Sequence, residues 1–119
     1  MNLSQILADV RGLIQAHGDI PALVEIPAES GGCSLSVVSE VAYEDRPDYG
    51  PSVCFLGSDC GFTGLQQLSE VIEAAIREHG DVPGLIEIPS DKDEWVLAPT
   101  EELAYENRPG RGPSVCFLC

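Results

Sequence analysis

Lysine is almost missing from this chain. One residue, Lys92, joins five arginines to give 6 basic side chains against 20 acidic ones in 119 residues, a net charge of −14. A surface of that sign repels DNA, RNA and anionic membranes, which argues against direct nucleic-acid or membrane binding. Long apolar runs are also lacking. The first apolar stretch, Leu3 to Ile14, is interrupted by Asp9 and Arg11, so it reads as neither a signal peptide nor a membrane span. The sequence has no phosphate loop, dinucleotide fingerprint, HExxH or EF-hand loop, which removes the common nucleotide and metal-hydrolase signatures. What remains is a globular composition, 44% hydrophobic and 22% charged, sized for one ordinary domain or two very small ones. Cysteines number five, at positions 33, 54, 60, 116 and 119. An odd count without a secretion signal leads to an expectation of reduced thiols and a cytoplasmic location, the host cytoplasm if the gene is phage-borne.

The chain repeats itself. His17-Gly18-Asp19 returns as His79-Gly80-Asp81, and the same offset of 62 aligns residues 3–56 with 65–118 without a gap, 25 of 54 pairs being identical. The longest shared run, Gly50 to Leu56, recurs as Gly112 to Leu118. A tandem duplication is the expected origin: repeat one over 1–57, a linker over 58–63, and repeat two over 64–119, together forming one compact unit.

Each repeat opens on a helical stripe. Leu3, Ile6, Leu7, Val10, Leu13 and Ile14 line one face, as do Leu65, Leu68, Ile72, Ala75 and Ile76. Asn2 with Gln5, and Thr63 with Gln66, fit capping boxes. Gly18 and Gly80 suit C-terminal caps, which puts His17 and His79 in the last turns, and Pro21 and Pro83 stop continuation. A short β-rich piece follows, Leu23–Ile26 and Leu85–Ile88. A longer alternating one comes next, Ser34–Glu44 and Val96–Glu106, in which Pro99 should shorten or bulge the second copy. Arg46–Pro51 and Arg108–Pro113 are turns by composition. Ser52–Leu56 and Ser114–Leu118, apolar on both faces, read as central strands. The expected fold is α+β: two tandem α-β-β-β units related by pseudo-twofold symmetry, with a mainly antiparallel sheet packed against helices. About 54 residues bury little core alone, so the units should share an interface through sheet edges or helices.

The succession of a short amphipathic helix, His-Gly-Asp-(Ile/Val)-Pro and an apolar strand, at Leu13–Ile26 and Ala75–Ile88, resembles small uncharacterised domains of phages and mobile elements. The resemblance spans about a quarter of the chain. It implies a phage-like origin and no catalytic residues.

Several constellations compete for a chemical role. Cys116-x-x-Cys119 has half a zinc-ribbon spacing and Cys54 with Cys60 is a looser pair, but a second close pair is lacking and buried thiols serve well as core residues. A cysteine hydrolase would need Cys54 near His17, or Cys116 near His79, with an orienting acid and an oxyanion hole that the sequence does not offer. Glu25 and Glu87, set between apolar strand residues, suit either a solvent-facing place on a half-exposed strand or a salt bridge to a retained arginine better than acid–base work. The Tyr-Glu-x-Arg-Pro element places Tyr43 with Arg46, and Tyr105 with Arg108. Such a pair around a twofold would grip an anion, unless each arginine is taken up by its neighbouring glutamate. Finally, Glu70, Glu73, Glu78, Asp91, Asp93, Glu94, Glu101 and Glu102 gather an acidic band in the second half, although a GC-rich genome or a saline cytoplasm produces the same charge.

The first expectation is a binding protein without enzymatic activity, metal or cofactor. Its acidic face would dock on a basic host protein that handles nucleic acid, in the manner of an anti-CRISPR or anti-restriction inhibitor. The second is a sponge for a small anionic nucleotide signal held by Arg46, Arg108, Tyr43 and Tyr105. The third is a cysteine hydrolase or zinc-binding module. The sequence leaves the partner and the oligomeric state open.

Overall fold

A computed structural model describes residues 1–27, 33–58, 64–89, 95–110 and 112–118. Among the described residues are two helices, α1 (Leu3–His17) and α2 (Leu65–His79), where the apolar stripes place them. Strands β1 (Ala22–Pro27), β2 (Cys33–Arg46) and β3 (Gly50–Ser58) follow α1; β4 (Gly84–Pro89), β5 (Trp95–Pro99), β6 (Glu102–Arg108) and β7 (Gly112–Leu118) follow α2. The second half thus carries one strand more than expected. Pro99, which has no N–H to give a ladder, ends β5, and the chain resumes as β6 two residues later.

All seven strands belong to one sheet, in the order β5-β4-β3-β2-β1-β7-β6. The sheet is mixed. β1–β2, β2–β3, β4–β5 and β6–β7 run antiparallel, whereas β1–β7 and β3–β4 run parallel. Four of the six pairs are antiparallel, in keeping with a mainly antiparallel sheet, and the two parallel pairs make it mixed. β3, α2 and β4 form a crossover unit, and a crossover through a helix returns the chain in the same direction.

β5 and β6 stand at opposite edges of that order, yet only Thr100 and Glu101 separate them in the chain. The sheet therefore curls until its edges meet. Thr100 N–H donates to Gly84 O at 3.0 Å and Glu101 N–H donates to Leu118 O at 2.8 Å, so pairing continues on both sides of the junction. Thr100 is buried, and its hydroxyl has no partner among the described residues.

Alternation along the strands sorts the interior. Val24, Val53, Phe55, Ile86, Val115 and Phe117 share one cluster with Leu3, Ile6, Val10, Leu65, Leu68 and Ile72, so the helices cover this face. Gly84 lies close under α1, where an added Cβ would run into Ile6 Cδ1 and crowd the Phe55 ring. The intervening strand residues, Leu23, Ser52, Cys54, Leu85, Glu87, Ser114 and Cys116, point away from the helices and are buried too. β3 and β7 each have a neighbour on both sides, as expected of central strands.

Phe55 and Phe117 are both 0% exposed, with ring centroids 5.1 Å apart and planes tilted by 54°. Phe55→Ala or Phe117→Ala should cost about 3–5 kcal/mol, read as a lowered midpoint in urea unfolding, with a less-than-additive double mutant because the rings touch.

Candidate functional site

The helix ends are closed by residues from beyond the opposite helix. Asp81, after α2, accepts hydrogen bonds from Ser4 N–H and Ser4 Oγ at the start of α1, both at 2.8 Å. Asp19, after α1, accepts one from Gln66 N–H at the start of α2, also at 2.8 Å. The two helices consequently run antiparallel, joined midway by Arg11 to Glu73 at 3.0 Å. The bonds from Ser4 hold the Asp81 carboxyl below its ordinary pKa. At the start of α1, Asn2 N–H also donates to Gln5 Oε1 at 2.9 Å, as the capping box requires. Thr63, the expected cap of α2, lies outside the described residues; Gly64 stands at that position and Asp19 does the work.

The last turns meet the sheet through stacked rings. His17 lies on Tyr105 with centroids 3.7 Å apart, and His79 lies on Tyr43 at 3.8 Å, each with planes within 6°. Both histidines thus sit on the helix-covered face. Cys54 points to the other face, so the structure engages each group separately instead of pairing Cys54 with an imidazole.

On that other face lies a charged cluster in which Glu87 is buried and Arg46 and Glu44 are partly exposed. Arg46 Nη2 donates to Glu87 Oε1 and Oε2, each at 3.1 Å, and Arg46 Nε donates to Glu44 Oε2 at 2.7 Å. Cys54 Sγ donates to the same Glu44 oxygen at 3.3 Å. Burial lowers the Arg46 pKa, but the Glu44 hydrogen bond and the Glu87 charge outweigh it and hold it above its usual value. Burial and the adjacent Glu44 push the Cys54 thiol up to about 11. A protonated thiol under a carboxylate is not a nucleophile. Of the two roles open to Glu87, facing solvent or pairing with the retained arginine, the structure shows the second.

Glu25, Glu106 and Cys116 gather in the same way, and in each trio the donor atoms lie within 4.8 Å of one another. In the first trio a metal would have to displace Arg46 and strip the thiol proton. For the zinc-ribbon spacing, Cys54 and Cys116 are buried in β3 and β7, while Cys60 and Cys119 lie outside the described residues.

Tyr43 and Arg46 fall on opposite faces of β2 and are not brought together: one stacks on His79, the other binds Glu44 and Glu87. Tyr105 occupies the matching place on β6, and the Arg108 side chain lies outside the described residues. Of the acidic band, Glu70 and Glu78 are exposed on α2, and Glu73 turns toward Arg11 and Arg77. Glu101 and Glu102 are exposed where β5 hands over to β6. Asp91, Asp93 and Glu94 lie outside the described residues.

A cavity of about 250 Å³ opens between α2 and β2, lined by Val41, Tyr43, Val53, Val71, Ala74, Ala75, Glu78 and His79. The sequence carried one unread sign of it: Ala74-Ala75 stands where α1 has Gly12-Leu13. Comparison with protein-family models, curated proteins and solved structures gave no match.

Removing Arg46 strands Glu87, which is only 7% exposed. Arg46→Ala should therefore destabilise the fold by about 3–5 kcal/mol, and adding Glu87→Leu should recover much of that loss in the same urea titration. The thiol gives a second expectation. Its folded pKa is raised, so its stabilising contribution is complete below about 9, where an unfolded thiol begins to ionise, and is lost as pH rises toward about 11. Unfolding free energy measured from pH 8 to 11 should fall, and Cys54→Ala should flatten that alkaline limb.

Proposed function

We propose that this protein is a non-catalytic, acidic binding module built by tandem duplication. Its two α-β-β-β units would be related by an approximate twofold, the second β2-like strand being divided at Pro99. The matched registers Ala22↔Val115 and Gly84↔Val53, which interchange under the offset of 62, support that reading. The target is a basic protein surface of the kind that grips nucleic acid, which the carboxylates occupy in place of phosphates.

One observation carries the proposal. Every arginine side chain among the described residues is already bound to a carboxylate: Arg11 to Glu73, Arg46 to Glu44 and Glu87, Arg77 to Glu73. Among the described residues the arginines are thus offset by glutamates, and surplus negative charge faces solvent at Asp9, Glu40, Asp45, Asp48, Glu70, Glu78, Glu101 and Glu102. Among the described residues Cys54 is engaged by Glu44 and both histidines by tyrosines. That supports binding over catalysis, and Arg46 enclosed by carboxylates disfavours an anion-gripping site.

Capture of host proteins on the immobilised chain should be strong at low ionic strength and fall steeply with added salt. The triple variant Glu70→Lys, Glu101→Lys, Glu102→Lys should keep its folded circular-dichroism spectrum and lose the captured partner. Retention by that variant, together with loss on Arg46→Lys, would instead establish an anionic-ligand site.

A further inference from the structure

The cavity between α2 and β2 differs in character from the acidic surface. Its walls are apolar, made by Val41, Val53, Val71 and Ala75 with exposed Ala74 at the lip, and its rim carries one acid, Glu78, whose carboxylate lies 3.6 Å from His79 Nε2 beside the Tyr43–His79 stack. Glu78 and His79 are the last two residues of α2, so the negative end of the helix dipole adds to the Glu78 charge at the same rim. An aromatic wall, a carboxylate and a helix C-terminus together select a cation, and the apolar walls select a hydrophobic body attached to it. At about 250 Å³ the space is below the roughly 300–1,000 Å³ of drug-sized sites, so the occupant is fragment-sized.

The sequence supplies an independent contrast. At the offset of 62, Ala75 is matched by Leu13 and Glu78 by Ala16. Leu13 packs against the core with its longer side chain, and Ala16 brings no charge. The features that open and charge the α2 cavity are therefore the ones in which α2 departs from α1. We propose that this cavity is a binding site for a small organic ammonium ion with an apolar body, such as an arylalkylamine.

The test uses the full chain and two probes of equal size and opposite charge, phenethylammonium and phenylacetate, followed by methyl and amide NMR shifts. Phenethylammonium should produce saturable shifts centred on Val41, Val71, Ala74 and Ala75, and phenylacetate should bind at least tenfold more weakly. Glu78→Gln should weaken phenethylammonium about two- to fivefold, the worth of one solvent-exposed charge pair. Ala75→Leu, which installs the residue of the matched position, should abolish the shifts, and Ala74→Leu provides a second filling variant should the first not fold. Absence of saturable shifts, equal binding of phenylacetate, or unchanged binding by a folded filling variant would overturn the proposal. The triple charge reversal of the acidic surface leaves Glu78 in place, so phenethylammonium should bind that variant as it binds the parent chain.

Discussion

Neither half of this chain completes its own sheet. β1 finds its second neighbour in β7 and β3 finds its in β4, both by parallel pairing across the halves. Everything else follows from that exchange. Parallel pairing of β3 with β4 requires a crossover, which α2 supplies, and this carries α2 over β2, where His79 reaches Tyr43. Pairing of β1 with β7 leaves α1 over β6, where His17 reaches Tyr105. With the helices antiparallel, the aspartate that ends each one arrives at the first turn of the other, so each helix N-terminus is satisfied from across the interface. A half of about 54 residues therefore lacks a strand neighbour, a ring partner and a helix cap until the other half is folded against it.

The polar interior obeys the same exchange. Arg46 lies on β2 and Glu87 on β4, so this ion pair is made across the halves as well. A buried pair of this kind adds little over apolar packing, because two desolvation costs oppose the attraction. Its effect is on register. Sliding β4 by one residue would turn Glu87 to the helix side, away from Arg46, and bring Leu85 and Ile86 out of their faces. The thiol of Cys54 fits the same logic. It fills a small site in a central strand and donates its proton to Glu44, which leaves no lone donor beneath the carboxylate.

Local features were legible in the sequence and long-range ones were not. The helical stripes, the strand cores at Val53, Phe55, Val115 and Phe117, the break at Pro99 and the salt-bridge role of Glu87 each follow from spacing or from a residue's backbone constraints. The two parallel pairings did not emerge, although the succession strand, helix, strand from β3 to β4 implied one. Asp19 and Asp81 each follow the end of one helix and cap the start of the other, a role that no local spacing indicates. Tyr43 and Arg46 looked like one site because they lie three residues apart. An odd spacing along a strand sends them to opposite faces, and that single parity separates the stacking tyrosine from the charged cluster.

Where the halves agree and where they differ bears on function. Over 46–56 and its match, nine of eleven residues are identical, and these form the turn and the central strand on which core and charge cluster depend. Over the helices only Leu3, Gln5, Ile14 and His17 match, out of 15 positions. Leu3 and Ile14 pack inward and His17 stacks on Tyr105, so the helix positions that agree are mostly those in contact with the sheet. The differing positions include the solvent side of α2, with Glu70 and Glu78, and the lip of its cavity, with Ala74 and Ala75. Helix surfaces tolerate such changes at small energetic cost, whereas a central strand does not. The exposed charge of α2 and the cavity beside it therefore fall at positions where the two halves of the sequence differ, on a helix surface and not in the matched strands.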